Sequence, residues 1–461
     1  MRPGGAAVLN DPTMRTPRRL LCSSLAVCAA LAAAAGPAQA QSLSALVELA
    51  RGYDAPWQAA QAQLQAAASR AEQARAGLLP SAGLSGGVTY ARNDVTRPPL
   101  PGVDVNGPTQ TLGVQASQPL YRPASRIGFE QGQRGIDLAS AQRDAAEQDL
   151  LVRVSQAYFD VLGAQDTLAF VRAQKAAVAE QLASAKRNFE VGTATVTDER
   201  EAQARHDLVS AQEIAAENDL HVKRLALDQI VGRPGTSPLP LAQPVQLPGV
   251  RPADVDHWVR TAEDRQPQVR QAALALDVAR LETRKAETGH LPTVDLQASY
   301  GVQRTPNGTV LMPGIHSRTN VASVGVALNL PLFAGFAVQN RVKETLSLED
   351  KARADLDNAR RTAAQAARAA FFNVQSGLSQ VGALQAAEAS SQSALDANLL
   401  GYKVGVRINI DVLNAQSQLY QTKRDLATAR YNVLVGTLRL KQAAGTLTAD
   451  DVAAVDTLLA R

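Results

Sequence analysis

Two hydrophobic patterns occur along this chain. Stretches in which apolar and polar residues alternate, as they do in a β-strand, lie at about 81–92, 109–121, 293–304 and 319–333. Much longer stretches, with apolar residues three and four positions apart as in an amphipathic helix, lie at about 124–189 and 336–402. The pattern predicts a mostly α-helical chain that also contains four β-strands.

The strand at 293–304 shows the alternation clearly. One face carries Val294, Leu296, Ala298, Tyr300 and Val302, and the other face carries Asp295, Gln297, Ser299 and Gln303. This pattern is typical of an outer-membrane strand with lipid on one side and water on the other. An amphipathic hairpin packed on a soluble core would show the same alternation.

Segment 319–340 has no charged residue, so a membrane-spanning helix must be considered. Polar, proline and glycine residues interrupt it at Asn320, Asn329, Pro331 and Gly335. Its central part, 324–332, has the period of a strand. We therefore interpret this segment as a membrane strand.

The two halves of the chain repeat each other at a nearly constant offset. The matching pairs are Leu79-Pro80 with Leu291-Pro292, Pro119-Leu120-Tyr121 with Pro331-Leu332-Phe333, Tyr158-Phe159 with Phe371-Phe372, and Val191-Gly192 with Val404-Gly405. A duplication explains the repeat. It predicts a first repeat at 41–232, a proline-rich connector at 233–252, a second repeat at 253–445 and a C-terminal tail at 446–461.

The four strands imply an oligomer if they lie in a membrane. Four strands cannot close a barrel, and open sheet edges are not tolerated in lipid. Three chains would supply twelve strands, which is enough to enclose an open lumen. We therefore predict a homotrimer with a twelve-stranded β-barrel, four strands per chain, continued by a long α-helical barrel.

The longest predicted helices would each reach roughly 100 Å at about 1.5 Å per residue. In the second of them, coiled-coil spacing is kept by Phe371, Val374, Leu378 and Val381, and then by Leu395, Leu399 and Tyr402. Such helices need neighbours along their sides, which a helical barrel supplies. A soluble coiled-coil rod is the alternative, but it does not explain uncharged strands at one end.

Residues 1–40 have the features of a secretory signal. Arg15, Arg18 and Arg19 precede an apolar run at 20–35, and Ala38-Gln39-Ala40 is a small-residue cleavage site. The mature chain would then begin near Gln41. The formal net charge of +4 falls to near +1 once the charges of this segment are removed, namely Arg2, Arg15, Arg18, Arg19 and Asp11. A charge near zero argues against a nucleic-acid partner.

The sequence predicts no cofactor and no enzyme activity. Both cysteines, Cys22 and Cys28, lie in the signal segment, so the exported chain would have no disulfide and no thiolate metal site. Cys28 is an alternative lipidation site, although the bulky Val27 fits such a site poorly. The five histidines lack metal-ligand spacing, and neither a phosphate loop nor a nucleophile elbow occurs.

Together these features resemble the TolC family of outer-membrane efflux and type I secretion proteins. The resemblance covers the mature chain to about residue 447, and its most specific motif is YKVGVRINIDVLNAQ, from Tyr402 to Gln416. It implies a trimer in the cell outer membrane, in contact with lipid. The α-helical barrel would project into the periplasm and be closed at its far tip by bonds between helices.

In that family the tip is locked by side chains that map here onto Gln181, Gly192, Thr197, Asp198, Tyr402 and Arg407. The resemblance implies that Tyr402 bonds to Asp198, and that Arg407 engages the Gln181 side chain or the Gly192 backbone. Such charge-assisted bonds can be broken by a partner protein. The alternative is ordinary polarity at a helical turn.

The resemblance also implies a constriction with two acidic rings. Asp411 occupies the first ring, but Asn414 stands where the second carboxylate is often found. We therefore expect weaker cation selectivity and weaker block by multivalent cations than in members with both rings. The helical tips that would contact an adaptor are at Val191, Gly192, Val404 and Gly405.

Finally, the resemblance implies a periplasmic adaptor (membrane fusion) protein and an inner-membrane ABC transporter or proton-driven pump as partners. The lack of a lipid anchor favours type I secretion of an unfolded polypeptide, as in members that export adenylate cyclase toxin-haemolysin. A multidrug efflux duct, with a drug as cargo, is the alternative within the family. A periplasmic coiled-coil adaptor or envelope scaffold is the alternative of another class.

Overall fold

A computed structural model describes residues 41–97, 100–193, 195–242 and 244–460 of the chain. The predicted signal segment, with Cys22 and Cys28, lies outside the described residues.

Each half of the chain forms two helices, a β-hairpin and two long helices, in the same order. The first half contains α1 (Leu43–Tyr53), α2 (Ala55–Ala76), β1 (Ser81–Arg97), β2 (Leu100–Tyr121), α3 (Pro123–Glu190) and α4 (Val196–Val231). The second half contains α5 (Val255–Arg265), α6 (Pro267–Glu287), a 3₁₀ turn (Thr288–His290), β3 (Thr293–Thr305), β4 (Gly308–Thr309), β5 (Met312–Pro313), β6 (Ser317–Asn329), α7 (Ala337–Lys403), α8 (Asn409–Ala443) and α9 (Ala449–Asp456). The mostly helical fold with a β part, predicted from the hydrophobic pattern, is confirmed.

The two hairpins form one antiparallel sheet with the strand order β1-β2-β3-β6. The halves of the chain meet between β2 and β3, where Val114 lies opposite Tyr300. The two-residue strands β4 and β5 form a separate small hairpin in the connection from β3 to β6. Each half therefore supplies one edge and one inner strand of a shared sheet.

Three strand boundaries lie several residues from those predicted: the end of β1, the start of β2 and the end of β6. The first hairpin is longer, because pairing continues beyond Arg92 opposite Asn106 to Val95 opposite Val103. Conversely, β6 ends at Asn329, four residues before the predicted end at 333. Its partner β3 begins at Thr293, and Pro331 has no N–H to donate to a neighbouring strand.

The long helices turn back at the two Val-Gly positions. α3 and α7 contain 68 and 67 residues, and the returning helices α4 and α8 contain 36 and 35. Gly192 and Gly405 have φ values of 78° and 77°. Because this left-handed conformation favours glycine, each glycine lets the chain reverse and pack the next helix along the previous one.

The largest apolar cluster lies where α1, α3, the connector and the C-terminal segment meet. Tyr158 is fully buried there, and its hydroxyl donates to the carbonyl of Leu239 in the connector at 2.9 Å. Burial raises the pKa of Tyr158, so the phenol remains a donor. The connector is thus anchored partway along the long helices.

The C-terminal segment, predicted as a tail, contains α9 and packs against α1. The carboxylate of Asp456 accepts hydrogen bonds from the backbone N–H groups of Leu43 at 2.8 Å and Ser44 at 3.1 Å. A carboxylate at a helix N-terminus satisfies otherwise unpaired N–H groups. The end of the chain therefore stabilises the first helix.

Candidate functional site

One face of the sheet is apolar and exposed. The register places Leu84 opposite Val114, Val114 opposite Tyr300, and Tyr300 opposite Ala322. Side chains on this face with large exposed fractions are Leu84, Val88, Tyr90, Leu112, Val114, Tyr300, Val324, Val326 and Leu328. An apolar face of this extent is unfavourable in water and typical of a surface that contacts lipid.

The opposite face carries small and polar side chains. Its members include Ser81, Gly83, Ser85, Thr111, Gln115, Ser117, Gln297, Ser299, Ser323 and Gly325. The Ser299 and Ser323 hydroxyl oxygens lie 2.8 Å apart across the two strands. Small polar residues leave open space and favour contact with water. The two-faced pattern predicted for 293–304 is confirmed by the register and extends over all four strands.

The sheet has two unpaired edges within the part of the chain that the structure describes. β1 pairs only with β2, and β6 pairs only with β3. Open edges leave N–H and C=O groups without partners, which is not tolerated in hydrocarbon. A membrane position for this sheet therefore requires strands from other copies of the chain. No helix among the described residues has the length and apolar character needed to cross a membrane.

At the helical tip, the two halves are joined by buried amides. Gln181 is 8% exposed, and its Nε2 donates to Oδ1 of Asn409 at 2.5 Å. Asn409 is fully buried, and its Nδ2 donates to the backbone carbonyl of Asp198 at 3.3 Å. Asn409 thus connects both long helices of the first half to the first turn of α8. No local sequence pattern marks this residue.

The predicted bond between Tyr402 and Asp198 is not made within the chain. Oδ2 of Asp198 instead accepts from the backbone N–H of Thr195 at 3.1 Å and from its hydroxyl at 2.8 Å. These contacts form a capping box that stabilises the N-terminus of α4. Tyr402 accepts a hydrogen bond from Nδ2 of Asn188 at 3.3 Å. Within one chain the cap occupies the Asp198 carboxylate, and the bond to Tyr402 stays a prediction for the assembled trimer.

Arg407 likewise does not reach Gln181 or the Gly192 backbone within the chain. Its Nη1 lies 3.5 Å from Oδ2 of Asp411, one turn away along the chain. Both side chains are partly exposed, so this ion pair is weak and easily exchanged for another partner. Within one chain Arg407 thus lies beside the predicted constriction residue, and its bond at the lock stays a prediction. Thr197 is exposed at the start of α4.

The second constriction position has a partner that no local sequence pattern marks. Asn414 is exposed, and its Oδ1 accepts a hydrogen bond from Nη2 of Arg205 at 2.9 Å. Arg205 belongs to α4 and Asn414 to α8, so this contact also joins the two halves. Nothing in the linear pattern marks Arg205, because its role depends on which helices are adjacent.

The tips themselves are apolar and exposed. Val191 is 72% exposed, Val404 is 65% exposed and Val406 is 79% exposed. All three lie in or beside the two reversals, next to Gly192 and Gly405. An apolar group at an exposed turn is a suitable contact for a protein partner. In the part of the chain that the structure describes, no group of three or more His, Cys, Asp or Glu residues is placed to hold a metal ion.

Comparisons with known proteins agree with this geometry. A family model described as "Outer membrane efflux protein" matches residues 46–233 and again 258–446. The chain is 33% identical over 435 residues to "Outer membrane protein TolC" of Escherichia coli, covering 92% of this chain and 86% of that protein. It is 30% identical over 411 residues to "Alkaline protease secretion protein AprF" of Pseudomonas aeruginosa, covering 88% of this chain and 84% of that protein.

A solved structure shows the same fold. The outer membrane protein VceC of Vibrio cholerae superposes with a TM-score of 0.75 at 19% sequence identity. The superposition covers 87% of this chain and 96% of VceC. At this level of identity the likeness concerns the fold alone.

Proposed function

This chain belongs to the outer membrane efflux protein family, and we propose on that premise that three copies form the outer-membrane duct of a type I protein secretion machine. The family and the fold are those of channel proteins. The protein is accordingly an outer-membrane channel for efflux or type I secretion, with its helical part in the periplasm.

The observation that carries the proposal is the two-faced, open-edged sheet. Its apolar face can contact lipid, its small polar face can line water, and its edges can pair with those of identical sheets. Three sheets of four strands would close a twelve-stranded barrel. A barrel of this size holds an open lumen, whereas eight strands would be filled by side chains.

The helices extend the duct from the barrel. At about 1.5 Å per residue, α3 and α7 each span roughly 100 Å. Because each chain supplies two such helices and two returning helices, three chains provide a tube wall of packed coiled-coil pairs. A tube of this length carries the tips far from the barrel and into the periplasm.

The exposed tips can contact other proteins of an export machine. We propose that a periplasmic adaptor contacts the exposed valines around Gly192 and Gly405 and that an inner-membrane ABC transporter supplies the energy. In this scheme adaptor binding displaces the weak Arg407–Asp411 pair and the Asn188–Tyr402 bond, and the tip opens. Val404→Asp should abolish export by placing a charge in an apolar contact, whereas Val404→Ile should retain it.

The cargo we propose is an unfolded polypeptide of the toxin class that the family resemblance implies. The similarity to a protein named for alkaline protease secretion supports a polypeptide over a drug. The test is deletion of the gene in its host, followed by comparison of secreted proteins and drug sensitivity. Loss of a secreted protein with unchanged drug sensitivity supports the proposal, and the opposite result assigns the channel to drug efflux.

A further inference from the structure

Two arginines lie side by side at one end of the apolar face of the sheet. Arg304 of β3 is directly opposite Arg318 of β6, and both side chains are exposed. The register of these strands has no shift, so Arg304 lies on the same face as Tyr300 and Val302. Like charges directly opposite each other destabilise a sheet. An anion bound between the two guanidiniums would relieve this repulsion.

No carboxylate of the same chain pairs with these arginines within the described residues. From Leu296 to Asn340 the sequence contains no Asp, Glu or Lys and no further Arg. Asp104, on the first hairpin, is paired with Arg92 at 3.1 Å. Asp295, near the opposite end of β3, is paired with Arg122 at 2.8 Å. Both positive charges of the second hairpin are therefore uncompensated within one chain.

The two arginines lie where the apolar face ends. On this face β3 carries, in order, Val294, Leu296, Ala298, Tyr300, Val302 and Arg304. On the same face β6 changes from apolar to polar at the same level, at Asn320 and Arg318. At about 3.3 Å per residue and a tilt of about 40°, the distance from Val294 to Arg304 corresponds to a height of roughly 25 Å, which matches the apolar band of an outer-membrane barrel.

This end of the sheet faces the cell exterior in the assembled barrel. The helices join the sheet at the other end, where β3 begins at Thr293 and β6 ends at Asn329. Because the helical part is in the periplasm, Arg304 and Arg318 lie at the level of the outer-leaflet headgroups. Tyr300 is 52% exposed on the same face, slightly deeper in the band. Tyrosine is enriched at membrane interfaces, which agrees with this level.

We propose that Arg304 and Arg318 bind the phosphate of a lipid headgroup in the outer leaflet of the membrane. This inference rests on the proposed function, because the sheet meets lipid only in the assembled barrel. A guanidinium donates two parallel hydrogen bonds to a phosphate, and such charge-assisted bonds are stronger than neutral ones. The acyl chains of the same lipid would pack on the apolar face below, against Val302 and Tyr300. A free phosphate ion lacks this second contact.

One carboxylate of a neighbouring copy is a competing partner. The edge strands β6 and β1 meet when identical sheets close a barrel. Asp94 lies near the outer end of β1, on the same face as Leu84 and Tyr90. Asp94 of the next copy could therefore neutralise Arg318 in place of a lipid phosphate, so the test must distinguish the two anions.

The test is the Kd of lipid A, whose two sugars carry phosphates, for the purified full-length trimer in detergent, measured by native mass spectrometry. The wild type should bind one lipid A per chain. Arg304→Gln and Arg318→Gln should each raise the Kd by about tenfold, the usual loss for one hydrogen-bonded contact to a charged group. Arg304→Lys keeps the charge but loses the paired hydrogen bonds, so it should raise the Kd less.

Three comparisons separate the lipid phosphate from other causes. Arg360→Gln removes the same charge from an exposed position of α7, about 35 Å along that helix from its start, and should bind lipid A like the wild type. Lipid A without its phosphates should bind the wild type at least about tenfold more weakly. Asp94→Asn should leave the Kd unchanged, because lipid phosphate and not Asp94 is the proposed partner. All variants should remain trimers and conduct like the wild type in a planar bilayer.

Several results would overturn the inference while leaving the channel intact. One is a trimeric, conducting double variant, Arg304→Gln with Arg318→Gln, that binds lipid A as tightly as the wild type. Another is tighter binding of lipid A by Asp94→Asn, which would show that the neighbouring carboxylate occupies the arginines. Displacement of lipid A by inorganic phosphate at equal concentration would indicate a site for the free ion. Absence of both trimer and conductance in the wild type would instead overturn the proposed function.

Discussion

Gln181 and Asn409 are joined side chain to side chain at the helical tip, although they are 228 residues apart in the sequence. Both are buried, and the bond links α3 of the first half to the start of α8 in the second half. The tip of each chain is thus held together by neutral amides, while the ion pair of Arg407 with Asp411 lies at the surface. We therefore expect the buried Gln181–Asn409 bond to hold the tip and the exposed Arg407–Asp411 pair to exchange its partner.

Asn409→Ala should loosen the tip. The substitution removes the acceptor of the buried Gln181 amide, and leaving a buried donor unpaired costs about 1–3 kcal/mol. Single-channel conductance of the purified protein should rise severalfold. Asn398→Ala is the control, because Asn398 donates to the carbonyl of Ala394 in its own helix. Equal conductance of Asn409→Ala and the wild type would show that this amide does not hold the tip.

Tyr402 should be coupled to Asn188 and not to Asp198. The hydrogen bond between Nδ2 of Asn188 and the Tyr402 hydroxyl predicts that Tyr402→Phe and Asn188→Ala have less than additive effects on conductance. Asp198→Asn disturbs the capping box with Thr195, so its effect should add to that of Tyr402→Phe. The reverse pattern, with Tyr402 coupled to Asp198, would show that assembly creates the bond that the family resemblance implies.

Adjacent residues of β6 should respond oppositely to a charge. Val324 is 78% exposed on the apolar face, and Ser323 lies on the polar face next to it. Val324→Lys should cost about 2–4 kcal/mol if this face lies at the membrane midplane, whereas a charge on the water-lined face is tolerated. The amount of trimer in the outer-membrane fraction should therefore fall for Val324→Lys and not for Ser323→Lys. Equal amounts for both would argue against a lipid-facing surface.

Asp54 should make stability depend on pH in the acidic range. Burial acts to raise the pKa of Asp54, but the hydrogen bonds from Arg153 and from the backbone of Trp57 outweigh it, and the pKa is lowered. The folded state therefore binds a proton less readily than the unfolded state. The stabilisation is present above the unfolded pKa of about 3.9 and is lost as the pH falls through the folded value.

Asp54→Asn tests this dependence. Oδ1 and Oδ2 of Asp54 each lie 3.0 Å from a nitrogen of the Arg153 guanidinium, and the carboxylate also caps α2. The variant in detergent should melt at a lower temperature than the wild type at pH 7, and the difference should shrink towards pH 3. Asp357→Asn, an exposed position on α7, should melt like the wild type. A difference that does not change with pH would exclude ionisation of Asp54 as its cause.

The elements that were predictable are those specified by local pattern. The alternation from Val294 to Val302 determined which face of β3 is apolar, because side chains of a strand point alternately to opposite faces. The Val-Gly pairs at 191–192 and 404–405 marked the reversals, because only glycine adopts the required left-handed conformation without strain.

The contacts that were not predictable depend on which helices are adjacent. Neither Asn409 nor Arg205 carries a local signal, because their partners Gln181 and Asn414 are more than 200 residues away in the sequence. The cap at Asp198 was predictable from the sequence, since Thr195 three residues earlier forms the first part of a capping box. The family resemblance assigned that carboxylate to Tyr402, while the local capping geometry keeps it at Thr195.

The most direct test of the channel is single-channel conductance of the purified protein in a planar bilayer, for the wild type and for a Tyr402→Phe, Arg407→Ser variant. The wild type should give small discrete conductance steps from a detergent-resistant trimer. Tyr402→Phe removes the acceptor of the Asn188 amide between α3 and α7, and Arg407→Ser removes the guanidinium that the family resemblance assigns to the lock, so the variant should conduct severalfold more. No conductance from either form, together with extraction as a soluble protein, would contradict the channel and favour a periplasmic scaffold.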